Sequence, residues 1–324
     1  MESSSRSRLI TLGVIAALAV IALVGSLQGG RPPARQPAPQ TPAVQPGGEP
    51  QITLYVNQAG EKKKIKLEDY VAGVVAAELD PQWPEQALAA QAILARTFTL
   101  QKINYEHGVP QHGADASTDP QEFQAYDPSK INDNVRKAVA STRGQVIEYN
   151  GKYVRAWFHS NAGGKTDTAQ AGLDFNQEPT PYIRVVSDPG QQVAPPGEKN
   201  WQITVPLTRV REAVRSIVGK DPGVIANASV AKKSASGRAV TVKLNNITLS
   251  GPALRLALGA ELMKSTLLDQ FQIRGQQLYI TGRGRGHGVG MSQWGAYYYA
   301  RQGKAPQEII RQYYQGVTFT KAYS

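Results

Sequence analysis

Glu78 is the first residue of this sequence that could do chemistry. The segment Leu67–Leu79 predicts a helix, and Val71, Val74 and Val75 precede Glu78 by seven, four and three residues, which places it on an apolar face. Burial there and the dipole at the helix C-terminus both raise the pKa of a carboxyl. A carboxyl that stays protonated near neutral pH can act as a general acid. The alternative is a last-turn glutamate whose carboxylate reaches solvent.

A glycine-rich segment, GRGRGHGVGMSQWGAYYYA at 282–300, is the second candidate. Glycine stands at every second position over 282–290, a spacing that matches neither of the common phosphate-binding loops. In an extended segment alternate residues share one face, so one face here is bare backbone and the other carries Arg283, Arg285 and His287. The bare face predicts close packing against another chain segment or against a flat sugar.

The residues after the glycines predict a place for an anion. Ser292 can cap the helix that follows, and a helix N-terminus beside cations attracts negative charge. The predicted anion seat is therefore Ser292 and Gln293, with Arg285 or His287 nearby. The alternative is a tight corner of the chain that binds no ligand.

A third segment, WFHSNAGGKT at 157–166, follows a predicted hairpin. His159 and Ser160 could indicate nucleophilic catalysis, but adjacent residues of a strand point to opposite faces and cannot simply pair. Gly163 and Gly164 let backbone amides approach a ligand closely, which favours ligand binding. A structural turn without a ligand is the alternative.

Arg96 lies on the second predicted helix, among Ala92, Ala95 and Thr99. A guanidinium at this position could reach an anion or a carbonyl of a substrate. The alternative is a surface arginine whose aliphatic stem packs on the helix.

The polar loop HGADASTDPQEFQAY at 112–126 carries groups that could ligate a metal. One histidine with the dispersed Asp115, Asp119 and Glu122 is a weak metal pattern, and a solvated loop is the simpler interpretation. The chain has no cysteine, which excludes disulfides and thiolate metal sites. We therefore expect neither a metal nor another cofactor.

The elements that position these residues indicate an α+β fold of helices and mainly antiparallel strands around a groove. After two alternating strands come the helix over 67–79 and a second helix that has Pro84 in its first turn. Asn150-Gly151 then predicts a type I′ hairpin turn. The sequence pattern changes over residues 201–271, which predict a helix, a second hairpin and a short helix. We predict that these residues form an inserted subdomain. Two helices, stopped by Gly303 and Gly316, are predicted near the C-terminus.

The N-terminus predicts a membrane anchor. Residues 9–30 include no charged side chain, and their length is close to the ~20 residues of a spanning helix. Arg6 and Arg8 precede this run, so the positive-inside rule places residues 1–8 in the cytoplasm and the bulk of the chain outside. A cleaved signal peptide, with a small-residue site at Val24-Gly25-Ser26, is the alternative.

The composition and net charge of the chain limit the kinds of molecule that it could bind. Residues 31–50 are rich in proline and glutamine and predict a linker, and 51–324 form the globular region. The 324 residues carry a net charge of +11, which favours nucleic acid, anionic lipid or an acidic wall polymer. A globular region outside the cytoplasm argues against nucleic acid.

Three of these segments together resemble the stage II sporulation protein D family, also called the SpoIID/LytB domain. AELDPQWPEQALAAQAILARTFTL, FHSNAGGKT and GRGHGVGMSQWGA occur in the family's order, and the resemblance covers 51–316. It implies a membrane-anchored peptidoglycan lytic transglycosylase that acts in forespore engulfment during sporulation, on glycan stripped of its stem peptides. The implied partners are glycan strands, the stage II sporulation P amidase/endopeptidase and the M membrane protein.

The resemblance also implies roles for individual residues. Glu78 of AAELDP corresponds to the family's catalytic glutamate, and Arg96 of ARTF to the family arginine. The segments HSxxGG and GHGVGMSQ line a glycan groove in the family. The residues that this implies as glycan contacts are His159, Ser160, His287 and Gln293.

A single carboxyl can perform the implied reaction, whereas ordinary glycosidases need two. Protonated Glu78 would donate to the oxygen between N-acetylmuramic acid and N-acetylglucosamine. Its carboxylate would then take the proton of the muramyl C6 hydroxyl, which closes on C1 as a 1,6-anhydro end. A non-catalytic wall-binding enhancer of an amidase is the alternative, as LytB-type relatives are described.

The polar loop departs from part of the family. Some relatives bind zinc through cysteines in this loop, but Ser117 and Phe123 stand at the matching positions here, although His112 remains. We expect that zinc site to be missing. A secreted metal hydrolase that uses His107, His112 and the loop carboxylates is a more remote alternative.

Overall fold

The computed structural model describes residues 48–324. The predicted anchor at 9–30 and most of the predicted linker at 31–50 lie outside the described residues. Within 48–324, no helix combines the length and the apolar character that a membrane span requires.

Two helices of the described region show clear local signals where they begin or end. Pro84 precedes the second helix because its missing N–H costs nothing there, and Gly219, with φ of 72°, ends the seventh. The α-helices are α1 Leu67–Glu78, α2 Glu85–Glu106, α3 Asp133–Ser141, α4 Ala169–Leu173, α5 Gly190–Val193, α6 Pro196–Lys199, α7 Leu207–Val218, α8 Gly251–Leu258, α9 Gln293–Arg301 and α10 Pro306–Tyr313. Two 3₁₀ turns are Pro110–His112 and Pro128–Lys130.

The strands of residues 48–324 are short. They are β1 Gln51–Val56, β2 Glu61–Lys66, β3 Ala116–Ser117, β4 Gln145–Tyr149, β5 Lys152–Tyr153, β6 Phe158–His159, β7 Asn200–Pro206, β8 Ala228–Lys233, β9 Ala239–Leu244, β10 Ile247–Ser250, β11 Leu268–Arg274, β12 Gln277–Arg283, β13 Met291–Ser292 and β14 Thr318–Lys321. They form small sheets in the orders β2-β1-β3, β14-β4-β5, β13-β6, β11-β12-β7 and β10-β9-β8. Pairing is antiparallel except between β1 and β3 and between β13 and β6. The predicted α+β class with antiparallel strands is therefore confirmed.

The first hydrophobic core surrounds α2. Every residue from Ala87 to Gln101 is buried, because α1, α3, α9, α10 and β4 all pack on this helix. A helix that is covered on every side is mostly apolar or small, as the repeated alanines of α2 are, and its buried Arg96 is an exception that an internal partner must satisfy. Helix α1 packs on α2, and this packing fixes the position of its C-terminal residue, Glu78.

A second hydrophobic core lies between Trp201 and Ile280. It is built from the sheets β11-β12-β7 and β10-β9-β8 together with α7 and α8. The division of the chain into domains stays a prediction. Strand β12 leads directly from this core into the glycine-rich segment, which returns the chain to the first core.

Candidate active site

Glu78 is the last residue of α1, and its side chain is buried, with 2% of its surface exposed. The backbone N–H of Ala125 donates to one carboxyl oxygen at 3.1 Å, and the Gln293 amide lies 3.4 Å from the other. Burial raises the pKa of Glu78 to about 8, even though these two hydrogen bonds act in the opposite direction. The carboxyl therefore holds a proton at neutral pH, as a general acid must.

A pocket of about 230 Å³ opens beside this carboxyl. The end of α1, the turn before α2, the end of β6, the segment that enters α6 and the start of α9 contribute to it. Its lining residues are Glu78, Leu79, Asp80, Trp83, Ser160, Pro195, Glu198, Gln293 and Trp294. The fold thus brings together Glu78, Ser160 and Gln293, which the sequence analysis had singled out in three separate segments.

Trp83 and Trp294 line one side of the pocket and form an aromatic cluster with Tyr297, which packs on both of them. The ring centroids of Trp83 and Trp294 are 4.6 Å apart, and Tyr297 lies 5.0 Å from Trp83 and 5.4 Å from Trp294. All three rings are partly exposed. The cluster was not predicted from the sequence, although the three-residue spacing of Trp294 and Tyr297 on a helix was a usable signal. Aromatic faces beside a few polar groups are typical of a ligand pocket.

Ser160 and Arg285 meet at Glu198, a residue that the sequence analysis did not single out. The Ser160 hydroxyl donates to one carboxylate oxygen of Glu198 at 2.7 Å, and Arg285 donates to the other at 3.1 Å. Arg285 also pairs with Glu261. Its guanidinium thus pairs with two carboxylates of the chain. This argues against the prediction that Arg285 helps to bind an anionic group of the ligand. No motif around Glu198 pointed to its place in the pocket.

His159 and His287 lie behind the pocket and do not line it. Both are buried, and their ring centroids are 5.4 Å apart. Nδ1 of His159 lies 3.1 Å from the Val289 carbonyl, and Nδ1 of His287 accepts from the Val289 N–H. Burial, with the Arg238 charge, lowers the pKa of His159 to about 3, and burial, with His159 beside it, lowers the pKa of His287 well below its usual value. Both neutral imidazoles are enclosed and hydrogen-bond to the backbone of Val289. This argues against the prediction that His159 and His287 contact glycan.

Arg96 is part of an internal ion pair. Its side chain has no exposed surface, and it donates to both Glu68 oxygens, at 3.0 and 2.6 Å, and to the Gln145 carbonyl at 2.8 Å. Burial alone would raise the pKa of Glu68, but the hydrogen bonds and charge of Arg96 hold it below its usual value. Tyr323 donates to the same carboxylate. Because every direction of the guanidinium is enclosed, the predicted substrate contact through Arg96 does not fit this geometry.

The glycine-rich segment is not extended, which corrects the sequence analysis. Gly284, Gly286, Gly288 and Gly290 all have φ between 71° and 103°, a region that L-residues with side chains rarely adopt. A Cβ on Gly290 would lie 2.0 Å from the Trp157 carbonyl oxygen. The alternating glycines therefore let the segment turn repeatedly while its backbone lies against another part of the chain.

The other part of the chain is the segment of His159–Gly164. Asn161 and Arg285 exchange two backbone hydrogen bonds at 2.9 Å, and a Cβ on Gly284 would lie 2.7 Å from the Gly163 nitrogen. Gly163 and Gly164 have φ of 70° and 106°, and the Gly163 N–H is satisfied by the Asn161 side chain. The prediction of close packing against another segment is right, and the glycines of 163–164 form a structural turn.

The predicted anion seat is filled by a carboxylate of the chain itself. The buried Ser292 caps α9 by accepting from the Gly295 N–H at 3.3 Å. A Cβ on Gly295 would lie 2.2 Å from an oxygen of Asp188, so this buried carboxylate occupies the first turn of the helix. Tyr313 donates to Asp188 at 2.6 Å. Burial raises the pKa of Asp188, and its carboxyl fills the space at the helix start, so a ligand anion at Ser292 does not fit.

The polar loop uses its charged groups for local structure. His112 stacks on Tyr55 with centroids 3.8 Å apart, and its Nε2 lies 2.9 Å from Glu122. Asp115 accepts from the Thr53 N–H at 2.7 Å. Phe123 and Ser117 are buried. Among the described residues, no group of three or more potential ligands could hold a metal ion, and metal independence stays a prediction.

Comparisons with known proteins place this geometry in a family. The family described as SpoIID, Stage II sporulation protein, matches residues 55–149. Stage II sporulation protein D of Bacillus subtilis is 31% identical over 288 residues, 84% of this chain and 79% of the relative. The chain belongs to the stage II sporulation protein D family. The resemblance read from three motifs is thereby confirmed, and with it a role in sporulation.

Two further relatives define the breadth of this family. Stage II sporulation protein D of Bacillus amyloliquefaciens is 30% identical over 285 residues, 84% of this chain and 79% of the relative. The Amidase enhancer of Bacillus subtilis is 28% identical over 295 residues, 76% of this chain but 40% of that protein. The chain is therefore also similar, more distantly, to a protein named as an enhancer of an amidase.

Proposed function

We propose that this protein is a lytic transglycosylase that cleaves the bond between N-acetylmuramic acid and N-acetylglucosamine in denuded peptidoglycan glycan. The observation that carries the proposal is the buried carboxyl of Glu78, which opens onto a pocket and whose pKa is raised to about 8. A carboxyl in this state can donate a proton at neutral pH and take one back.

The reaction needs one carboxyl because the substrate supplies its own nucleophile. Glu78 donates its proton to the glycosidic oxygen as the bond between that oxygen and C1 of the muramyl sugar breaks. The muramyl C6 hydroxyl then bonds to C1, and its proton returns to Glu78. The product is a 1,6-anhydro end, formed without water, and the enzyme regains its starting state.

The aromatic cluster of Trp83, Trp294 and Tyr297 supports a carbohydrate as the ligand. The partly exposed rings can pack against the apolar face of a sugar while the Ser160 hydroxyl and the Gln293 amide contact its hydroxyls. A pocket with both kinds of surface suits a strand of a sugar polymer.

The experiment that tests the proposal is mass analysis of the products from denuded glycan. The wild-type protein is expected to release fragments with 1,6-anhydro-muramyl ends. Glu78→Gln removes the titrating group and keeps the shape, so it is expected to reduce turnover by about 10²-fold or more, with the fold and glycan binding kept. Substantial cleavage by Glu78→Gln would remove Glu78 from the mechanism.

A second candidate function is a non-catalytic enhancer of a peptidoglycan amidase, which the similarity to the Amidase enhancer supports. Under this function, the protein would release no anhydro product from denuded glycan. It would instead raise the rate of an added amidase on peptide-bearing wall, and Glu78→Gln would act like the wild type.

We also propose a setting for this activity. The uncharged run at 9–30, after Arg6 and Arg8, supports a single span with the N-terminus in the cytoplasm and the catalytic region in the space between forespore and mother cell. Glycan strands, the stage II sporulation P amidase/endopeptidase and the M membrane protein are the proposed partners in engulfment. Protease protection of membrane vesicles and co-purification during sporulation test these two statements separately.

A further inference from the structure

Glu198 lines the same pocket as Glu78. We propose that Glu198 is a catalytic residue that stabilises the positive charge developing on the muramyl ring as its bond to the leaving oxygen breaks. This inference rests on the proposed transglycosylase function and adds a residue to it.

The position of Glu198 is fixed from several sides. It lies on the short helix α6, directly after the pocket-lining Pro195 turn, and 16% of its side chain is exposed. Its backbone carbonyl accepts from the Asn161 side chain at 2.9 Å. Ser160 and Arg285 hold its two carboxylate oxygens. A charge held in place before the reaction stabilises a transition state without the cost of reorganising.

The charge around Glu198 suits this role. Arg285 is shared between Glu198 and Glu261, so the three side chains together carry one net negative charge. Arg285 donates to Glu198 in a charge-assisted hydrogen bond at 3.1 Å. Three carboxyl groups line the pocket, and Asp80 accepts from the Gln82 N–H of its own turn. Of the other two, Glu78 is enclosed without a salt bridge, whereas Glu198 has a cation beside it. Environments that differ in this way assign one group as the acid and the other as the fixed charge.

The proton and electron balance leaves Glu198 unchanged through the reaction. The proton of Glu78 goes to the leaving oxygen, and the electron pair of the broken bond leaves with that oxygen. The C6 hydroxyl closes on C1 and returns its proton to Glu78. Glu198 forms no bond and moves no proton; it only faces the transient positive charge.

The test is steady-state kinetics of the full-length protein on denuded glycan, with Glu198→Gln compared against wild type. We expect kcat to fall by about 10²-fold with KM within about threefold, because a fixed charge acts on the transition state and not on ground-state binding. Glu178→Gln is the matched control, since Glu178 is also paired with an arginine, Arg155, but lies outside the pocket. It is expected to keep wild-type kcat.

A kcat within threefold of wild type, or a rise in KM alone, would show that Glu198 only anchors Arg285 or binds sugar, and would overturn the inference. A hydrolysed reducing end in place of the anhydro end would also overturn it, because Glu198 would then act as a nucleophile or base. If Glu198→Gln does not fold, Glu198→Asp keeps the ion pair but moves the charge. An intermediate kcat of Glu198→Asp at unchanged KM supports the inference, and wild-type kcat rejects it.

The same experiment separates this inference from the proposed function. Absence of anhydro product from the wild-type protein would reject the transglycosylase itself. Cleavage that Glu78→Gln loses and Glu198→Gln keeps would reject the role of Glu198 alone.

Discussion

Glu78 shows how one side chain acquires a function from its surroundings. Its α1 face packs in the first core, and neither of its oxygens is paired with a cation. Burial therefore dominates its titration and raises its pKa to about 8. The apolar stripe predicted this burial from sequence, because Val71, Val74 and Val75 share a helix face with Glu78.

This titration predicts a pH-dependent stability. Between the usual pKa of 4.5 and the folded value of about 8, the folded state binds one proton more than the unfolded state, so raising the pH destabilises the protein. Glutamine does not titrate. As the pH rises through this window, we expect the stability of Glu78→Gln relative to wild type to increase by up to ~1.4 kcal/mol per pH unit.

Urea unfolding at pH 5 and pH 8 measures this difference. Glu178→Gln, at an exposed position, serves as control. It is expected to change the free energy of unfolding by the same amount at pH 5 and at pH 8. Parallel stability curves for wild type and Glu78→Gln would show that the carboxyl titrates normally.

At the scale of elements, the glycine-rich segment and the turn of 163–164 are one structural unit. Each lies against the backbone of the other, and together they carry Ser160, Arg285 and Gln293 toward the pocket. A side chain larger than hydrogen would separate the two segments. The regular spacing of glycine thus reflects backbone packing and repeated positive φ, not the approach of a ligand.

This packing predicts a large loss of stability for Gly290→Ala. The new Cβ would meet the Trp157 carbonyl oxygen at 2.0 Å in a backbone with φ of 71°. We expect a loss of about 3 kcal/mol or more, since steric displacement adds to the ~1–2 kcal/mol of the left-handed conformation.

Gly275→Ala is the matched control for this substitution. Gly275 has φ of 58° but nothing within 4 Å of the new Cβ, so only the conformational cost of ~1–2 kcal/mol applies. Thermal or urea unfolding compares the two, and equal losses would mean that the close approach at Gly290 relaxes freely.

The polar loop predicts that activity is independent of metal. His112, Asp115 and Glu122 are each committed to contacts within the chain, and Ser117 and Phe123 are buried. Cleavage of denuded glycan is expected to survive prolonged treatment with a chelator, with no stoichiometric zinc by elemental analysis. Loss of activity that zinc restores would revive the metal-hydrolase interpretation of this loop.

At the scale of the whole molecule, one buried ion pair connects segments that are far apart in the sequence. Arg96 on α2 pairs with Glu68 on α1, and Glu68 also accepts from the Gly144 N–H and from Tyr323 near the C-terminus. Removing one partner of such a pair leaves a buried charge without compensation, which is costly. The arginine acts on the pocket only by holding α1, and hence Glu78, in place.

Arg96→Met is therefore expected to cost about 3–5 kcal/mol of stability. Arg143→Met is the control, because Arg143 pairs with Glu49 at the surface, where an ion pair contributes ~0–1 kcal/mol. Urea unfolding gives both values. A stable Arg96→Met protein with weakened glycan binding would instead support the substrate contact predicted from sequence.

The amino-acid sequence by itself determined the features that depend on near neighbours in the chain. The type I′ turn formed at Asn150 and Gly151, which have φ of 52° and 73°, and Val71, Val74 and Val75 are buried on α1 as predicted. The tertiary packing buries most of the other residues of α1 as well, so the helix has no single apolar stripe. The three motifs also indicated the family. Helix periodicity and turn chemistry act over a few residues, so a local pattern contains the information they need.

Only the tertiary structure decided which side chains meet. Gln293 reaches Glu78 across 215 positions, and Arg285 reaches Glu198 across 87. The sequence could not show that Arg96 is enclosed by Glu68 or that Asp188 fills the start of α9. Such pairings depend on how separate elements pack, and a cation or helix start has the same sequence pattern whether its partner is a ligand or the chain itself.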